Sequence, residues 1–346
     1  MVTPNLYDRF CREHVLPSCN YYHKPIFPDQ LINDPKECQY FIERHFEMGC
    51  KALLLDSLPF KDTYVQKGKH QHTVLVYLMG LYAQNLFKDQ IEAVYGQDKR
   101  LFEYLWFLTC LYHDVASCVE KTDDVYANCC SVCPNKSEML WKGCRFSRST
   151  VCNYCRYRKK SGSQDHGIYG GLQLYKQLKK NFRIHTKDHD WNADPVCENN
   201  GVIWKREHKK YYAWAAQAII CHNMWTVKES DGIGSAKYID AGLEELIIHE
   251  EQQKLSRSAY PLDFMLCLLD SIEPVKRFNT VLTAKDLLEK IDIIYSTESI
   301  KLCWDNDLKK LGNFWEWMKT IYTMPDWMQV SVEDDMEMNS CVIRVP

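Results

Sequence analysis

Residues 107–118 read FLTCLYHDVASC, and the His113–Asp114 pair closing that oily run decides how the rest of the chain is read. A run of this kind fills a core, and a core penalises an ionised carboxylate beside an imidazole by several kcal/mol. Two arrangements meet that cost. Either the pair is the polar tip of a helix that reaches water, or a cation lies against it. The other histidines and aspartates choose between them.

Working outward, HTVLVYLMGLYAQNLF (72–87) and KRLFEYLWFLTCLYHD (99–114) carry helical apolar spacing, so two long helices are expected over 70–118. Upstream, residues 1–65 mix short helical stretches with proline turns, and ECQYFIERHFEMGCKALLL (37–55) is helical in period. Residues 119–163 break the pattern with cysteines, basic residues, Pro134 and an SGS triplet, and read as an inserted module. Helical period returns in DHGIYGGLQLYKQLKK (165–180) and KKYYAWAAQAIICHNMW (209–225), with polar, loop-like sequence over 185–209. PLDFMLCLLDSIEPVKRF (261–278) is helical except at Pro274, which bends or interrupts it. Past 283, KIDIIYST, SIKLCW, MQVSVEDD and SCVIRV read as short paired strands. The expected fold is mainly α, with a helical extension at 1–65, a core over 66–282 interrupted by the insertion at 119–163, and a small β-containing part at 283–346.

Composition sets outer limits. The 346 residues are 46% hydrophobic and 26% charged, with a formal charge of −3, so nothing draws the whole molecule to nucleic acid or an anionic membrane. No apolar stretch reaches the roughly 18 residues that span a bilayer. Asp8, Arg9, Arg12 and Glu13 stand where a signal peptide would be apolar, so a cytoplasmic location and no membrane partner are expected. Seventeen cysteines in a reducing compartment point to metal ligation or burial before disulfides. Cys110, Cys118, Cys221, Cys267 and Cys303 sit in apolar surroundings and are expected to pack as small hydrophobes.

On the expected helices, His72 opens the first, His113 and Asp114 close the second, His166 opens the third, His222 nears the end of the fourth, and Asp270 lies in the fifth. A lone histidine on such a face is ordinarily a satisfied core residue. Four histidines and two aspartates, distributed one set per buried helix, call for another explanation. Imidazole suits Zn, Fe, Mn and Ni, and carboxylate suits harder ions. Two cations about 3.5–4 Å apart would clamp the oxygens of a phosphoryl displacement and acidify a water between them. The cation also answers the opening question, because its charge makes a buried carboxylate tolerable.

The pieces HTVLVYLMG, CLYHDVA, DHGIYGGLQL, AIICHN and PLDFMLCLLDSIEPVKR, in the order H…HD…H…H…D over about residues 65–280, resemble the HD-domain metal-dependent phosphohydrolase superfamily. The resemblance implies that His72, His113 and Asp270 hold one metal and His166 and His222 the other, with Asp114 bridging. His70 competes with His72, and VLVYLMG following His72 at the family's spacing favours His72. The chain departs from the branch that acts on cyclic di-GMP: Ser117 stands where that branch has a lysine, and its GYP-type motif is missing. For phosphate binding, Lys276 and Arg277 follow Asp270, although Pro274 puts a shared helical face in doubt and a solvated basic face is the competing reading. Asn223 can bond a phosphate oxygen or cap its helix. His185, Asp188, His189 and Asp190 either offer a general acid at the site mouth or form a polar surface loop, which is favoured.

Within the insertion, Cys130 and Cys133 form one CxxC knuckle and Cys152 and Cys155 another, at a zinc-ribbon spacing that would close a tetrahedral shell around a structural zinc. Cys129 and Cys144 are spare thiols, and a four-cysteine iron–sulfur cluster through Cys133, Cys144, Cys152 and Cys155 competes with zinc. Arg156 and Arg158 belong to a run of basic residues interleaved with aromatics, which would face a polyanionic substrate or nucleic acid, or simply solvent.

The expected function is therefore a metal-dependent phosphohydrolase, a phosphodiesterase or nucleotidase, holding two divalent ions (Mn, Fe, Ni, Mg or Zn) and acting on a nucleotide, cyclic nucleotide or related phosphate. Asp114 and His113 would be its catalytic residues. A di-iron oxygenase resembling the myo-inositol-oxygenase branch shares the ligand order. An HD-type nuclease, or a scaffold that only binds nucleic acid, also fits the basic insertion. The sequence leaves the oligomeric state open.

Overall fold

The computed structural model describes residues 5–12, 25–56, 69–96, 100–118, 150, 153–154, 156–157, 166–222, 225–226, 236–248 and 254–346. In chain order its principal elements are α1 (Leu6–Arg12), α2 (Pro28–Asn33), α3 (Pro35–Met48), α4 (Leu53–Asp56), α5 (Lys69–Tyr82), α6 (Gln84–Tyr95), α7 (Leu101–Cys110), α8 (His166–His185), β1 (Val196–Asn199), β2 (Val202–Lys205) and α9 (His208–Cys221). Then follow β3 (Trp225–Thr226), α10 (Ala236–Asp240), β4 (Ile247–Ile248), α11 (Pro261–Ile272), α12 (Val275–Phe278), α13 (Ala284–Leu288), β5 (Ile291–Tyr295), β6 (Ser299–Trp304), α14 (Gly312–Tyr322), β7 (Ser331–Asp335) and β8 (Ser340–Arg344). Among these residues no helix is long and apolar enough to cross a membrane. The chain divides into two compact units: residues 1–41, 65–111 and 250–346, and residues 42–64 and 112–249.

In the first unit α5, α7 and α11 are apolar on nearly every side, which removes them from water and makes them its core. They pack on one another, and α6 packs on α11. The Trp106 indole N–H donates to the Tyr77 carbonyl at 3.0 Å, so the largest buried ring of α7 leaves no unpaired donor against α5. The four C-terminal strands form one antiparallel sheet in the order β5-β6-β8-β7, with Ile293 opposite Leu302 and Ile300 opposite Ile343 on the buried face. Arg9 of α1 grips Asp292 of β5 through two parallel bonds, Nε to Oδ1 at 2.6 Å and Nη2 to Oδ2 at 3.0 Å. The mainly helical fold and the four strands agree with the sequence expectation, as does the interruption at Pro274, where α11 has ended and α12 begins.

Three details differ from it. The run 72–87 is divided at Ala83 into α5 and α6, because apolar residues lie on both sides of the break and the period does not register it. α7 ends at Cys110, so His113 and Asp114 occupy the turn beyond the helix instead of its last turn. The stretch 185–209 is not all loop: β1 and β2 form a hairpin over Asn200 (φ 52°) and Gly201 (φ 71°), a two-residue turn that needs positive φ at both positions. The cysteine module at 119–163 lies largely outside the described residues, as do all four expected zinc ligands, Cys129, Cys144, Arg158 and Asn223.

The second unit is built on α8 and α9, which pack side by side in opposite directions. Gly171 makes that closeness possible. A Cβ there would fall 2.4 Å from the Ala216 carbonyl oxygen and 2.6 Å from the Ile220 side chain, and the carbonyl cannot turn aside. Gly171→Ala should therefore cost about 1–3 kcal/mol by overpacking, read as a lowered thermal midpoint. An unchanged midpoint would mean the helices are not in contact there.

Candidate metal centre

The antiparallel pairing of α8 and α9 has a direct consequence for two histidines. His166 is the first residue of α8 and His222 caps the end of α9, so the N-terminus of one helix meets the C-terminus of the other. Gly167 leaves room for the meeting, since a Cβ there would lie 3.0 Å from the His222 ring. His222 Nδ1 lies 2.5 Å from the Ile219 carbonyl oxygen. A carbonyl only accepts, so Nδ1 carries the proton and Nε2 presents its lone pair. That Nε2 faces His166 Nε2 at 3.2 Å, and His166 Nε2 also lies 2.8 Å from Asp114 Oδ1.

Asp114 is fully buried, as is its neighbour His113, whose ring meets the His222 ring edge-on at 5.3 Å. His113 Nε2 stands 3.9 Å from Asp114 Oδ2. One ligand atom from each of Asp114, His166 and His222 lies within 4.8 Å of the others. Ligands placed about 2.0–2.2 Å from one ion are about 3–3.5 Å apart, so the observed 2.8 and 3.2 Å separations suit a shared cation. The donor set of two imidazoles and a carboxylate suits Zn, Fe, Mn or Ni.

The first unit holds a second group. His72 of α5 is clasped by two carboxylates from the end of α11: Nε2 lies 2.8 Å from Asp270 Oδ1 and Nδ1 lies 2.6 Å from Glu273 Oε2. Glu273 is 1% exposed and is itself held by the backbone N–H groups of Val275, at 2.7 Å, and Lys276, at 3.0 Å. Lys276 Nζ reaches Asp270 at 3.2 Å. Burial and the Lys276 charge both oppose protonation of His72, yet the bonds to Asp270 and Glu273 outweigh them and raise its pKa. A protonated His72 together with Lys276 sets positive charge against the Asp270 and Glu273 carboxylates.

Glu273 escaped the sequence reading, although it orients His72 as firmly as a carboxylate orients a metal-bound imidazole. The signal available was its place one residue before Pro274, where a helix ends and a side chain can cap the next turn. His70 shares α5 and is buried, but His72 is the one beside Asp270. Arg277 is turned elsewhere, donating to Thr320 Oγ1 at 3.3 Å on an exposed surface. Arg156 is exposed and donates to Asn153 Oδ1 at 3.0 Å. His185 stacks on Trp204, and His189 meets the Trp191 ring and bonds the Asp194 carbonyl oxygen at 2.9 Å, so both are engaged in aromatic packing. No family model, curated protein or solved structure matches the chain.

A raised His72 pKa means that the folded protein holds this proton more tightly than the unfolded chain does. The resulting stability is full below the ordinary histidine value of about 6.5 and is lost as pH rises through the raised value. Thermal melts in EDTA should thus show wild-type stability falling from about pH 6.5 upward, with a flatter profile for His72→Gln. Glu273→Ala should cost about 1–3 kcal/mol, because it leaves the buried Nδ1–H and two backbone donors without their acceptor.

Proposed function

We propose that the chain is a metal-dependent phosphohydrolase of the HD type, acting on a nucleotide or related phosphate ester through a dinuclear metal centre. The observation that carries the reading is the approach of His166 Nε2 to His222 Nε2 at 3.2 Å, with Asp114 Oδ1 at 2.8 Å from the former. Two imidazole nitrogens aimed at each other need a proton or a cation between them, and a buried carboxylate at the same point favours the cation. In this reading Asp114, His166 and His222 hold one ion. The sequence resemblance assigns His72, Asp270 and His113 to the other, with Asp114 shared.

When bound, the pair of ions would acidify a water and offset charge on the phosphoryl oxygens. The protein's own groups have separate tasks. Ile219 fixes the tautomer of His222, and Glu273 fixes the ring of His72. Lys276, 29% exposed and within reach of Asp270, supplies a positive charge where an anionic substrate would approach. The interior position of Asp114 and His113 excludes bulk water from their side of the reacting atoms.

The test is metal analysis of protein purified without added metal, followed by a phosphate-release screen over nucleotides and cyclic nucleotides with and without oxygen. Wild-type protein should hold up to two ions per chain and release phosphate or nucleoside monophosphate anaerobically. Asp114→Ala should lose both the metal and the turnover. Full activity in that variant places the chemistry elsewhere, and oxygen uptake without phosphate release transfers the site to the di-iron oxygenase reading.

A further inference from the structure

α8 contains no acidic residue over its whole length, HGIYGGLQLYKQLKKNFRIH. Its outer face instead presents Lys176, Lys179, Lys180 and Arg183, all exposed. At 1.5 Å of rise per residue these four cations occupy about 10 Å of helix axis, close to one charge per 3 Å. A nucleic acid strand in a duplex carries one phosphate per about 3.4 Å of axis. The spacing of the row therefore matches that of a polyphosphate chain laid along it.

Helix electrostatics explains part of this row and not the rest. Cations in the last turns of α8 complement the negative end of its dipole. Lys209 and Lys210, however, sit in the first turn of α9, at the positive end of that helix, where each is unfavourable by about 0.3–1 kcal/mol. Lys209 Nζ lies 4.9 Å from the ring of Phe182 of α8, so these two charges adjoin the α8 row. Among the described residues no ion pair ties Lys176, Lys180, Arg183, Lys209 or Lys210 to a carboxylate. Glu207, the N-cap of α9, precedes that turn, and the exposed Asp188 and Asp190 follow α8 in the chain. Positive charge is thus gathered at one place against local preference, in a chain whose net charge is −3.

Aromatic rings border the row. Tyr175 lies under Lys179 Nζ at 4.9 Å, and the partly exposed Trp191 stacks on Phe182 at 5.5 Å with ring planes 12° apart. Cations that follow a backbone beside rings on which bases stack are what single-stranded nucleic acid requires. An anionic bilayer would instead need apolar side chains in a row to enter it, and the exposed Ile184 and Ile203 stand singly.

We propose that the outer face of α8, joined by the first turn of α9, binds single-stranded nucleic acid through its phosphates. This surface uses no residue of the cysteine module and does not depend on the metal reading. The test uses the full chain in EDTA, so that nothing is cleaved, with fluorescent 20-nucleotide oligo-dT and oligo-U followed by anisotropy at 50–200 mM salt. Wild-type protein should bind with a log–log salt slope of about −4, since each phosphate neutralised by one of the six cations contributes about −0.7 for single strands. The K176E/K180E/R183E variant should keep the wild-type melting profile, bind at least about tenfold more weakly and show a slope reduced by about 2.

An equal charge change on the first unit, K301E/K310E/K319E, should leave binding within about threefold, because these lysines are no part of the proposed row and the reach of exposed charges is limited by salt screening. Absence of oligonucleotide binding at 50 mM salt, equal weakening by both triple variants, or capture by phosphatidylserine vesicles without oligonucleotide binding overturns the proposal. A protein that binds these oligonucleotides but holds no metal defeats the enzymatic reading alone. One that hydrolyses nucleotides but ignores oligonucleotides defeats this one alone.

Discussion

Everything proposed for the second unit depends on how closely two antiparallel helices approach. Because α8 starts where α9 stops, their terminal histidines meet without any loop to carry them, and a buried aspartate from the turn after α7 completes the group. Each partner is fixed from a different direction. The Ile219 carbonyl holds the His222 ring, glycine at 167 gives it space, and Asp114 is enclosed on every side. A site assembled from helix ends in this way inherits the stiffness of the helices.

The group in the first unit obeys a different electrostatic rule. His72 is held by two carboxylates, and Lys276 supplies the balancing charge, so it is satisfied as it stands. A cation held by His72 and Asp270 would need the neutral imidazole and would loosen Lys276. Asp114, His166 and His222 offer an ion two nitrogens and a carboxylate, one ligand atom from each lying within 4.8 Å of the others.

Much of this was written in the sequence in a form that periodicity can read. The strands around Ile293, Ile300 and Ile343 announce themselves by β-branched alternation, and Pro274 marks the end of α11 by chemistry alone. The oddness of His113–Asp114 within an apolar run singled out the pair, although it read as the end of a helix and lies in the turn beyond α7. What stayed hidden has physical reasons. A bend at Ala83 leaves no trace when the residues on both sides are apolar. The hairpin at Asn200–Gly201 did leave one, an Asn-Gly pair followed by Val202–Ile203–Trp204, but its strands are only four residues long and lie within a polar stretch that reads as loop. Glu273 reads as an ordinary acid at a helix end, and only its burial against His72 reveals what it does.

α8 carries a histidine at its first residue and a row of cations beginning ten residues later, on one continuous rod. Because each residue turns an α-helix by about 100°, inserting or deleting a single residue between His166 and Lys176 would swing the cationic row around the axis while leaving the histidine where it is. The distance along the helix would change by only about 1.5 Å. Chains descended from this one can thus change the length of that stretch only at the expense of the angular phase between the two ends.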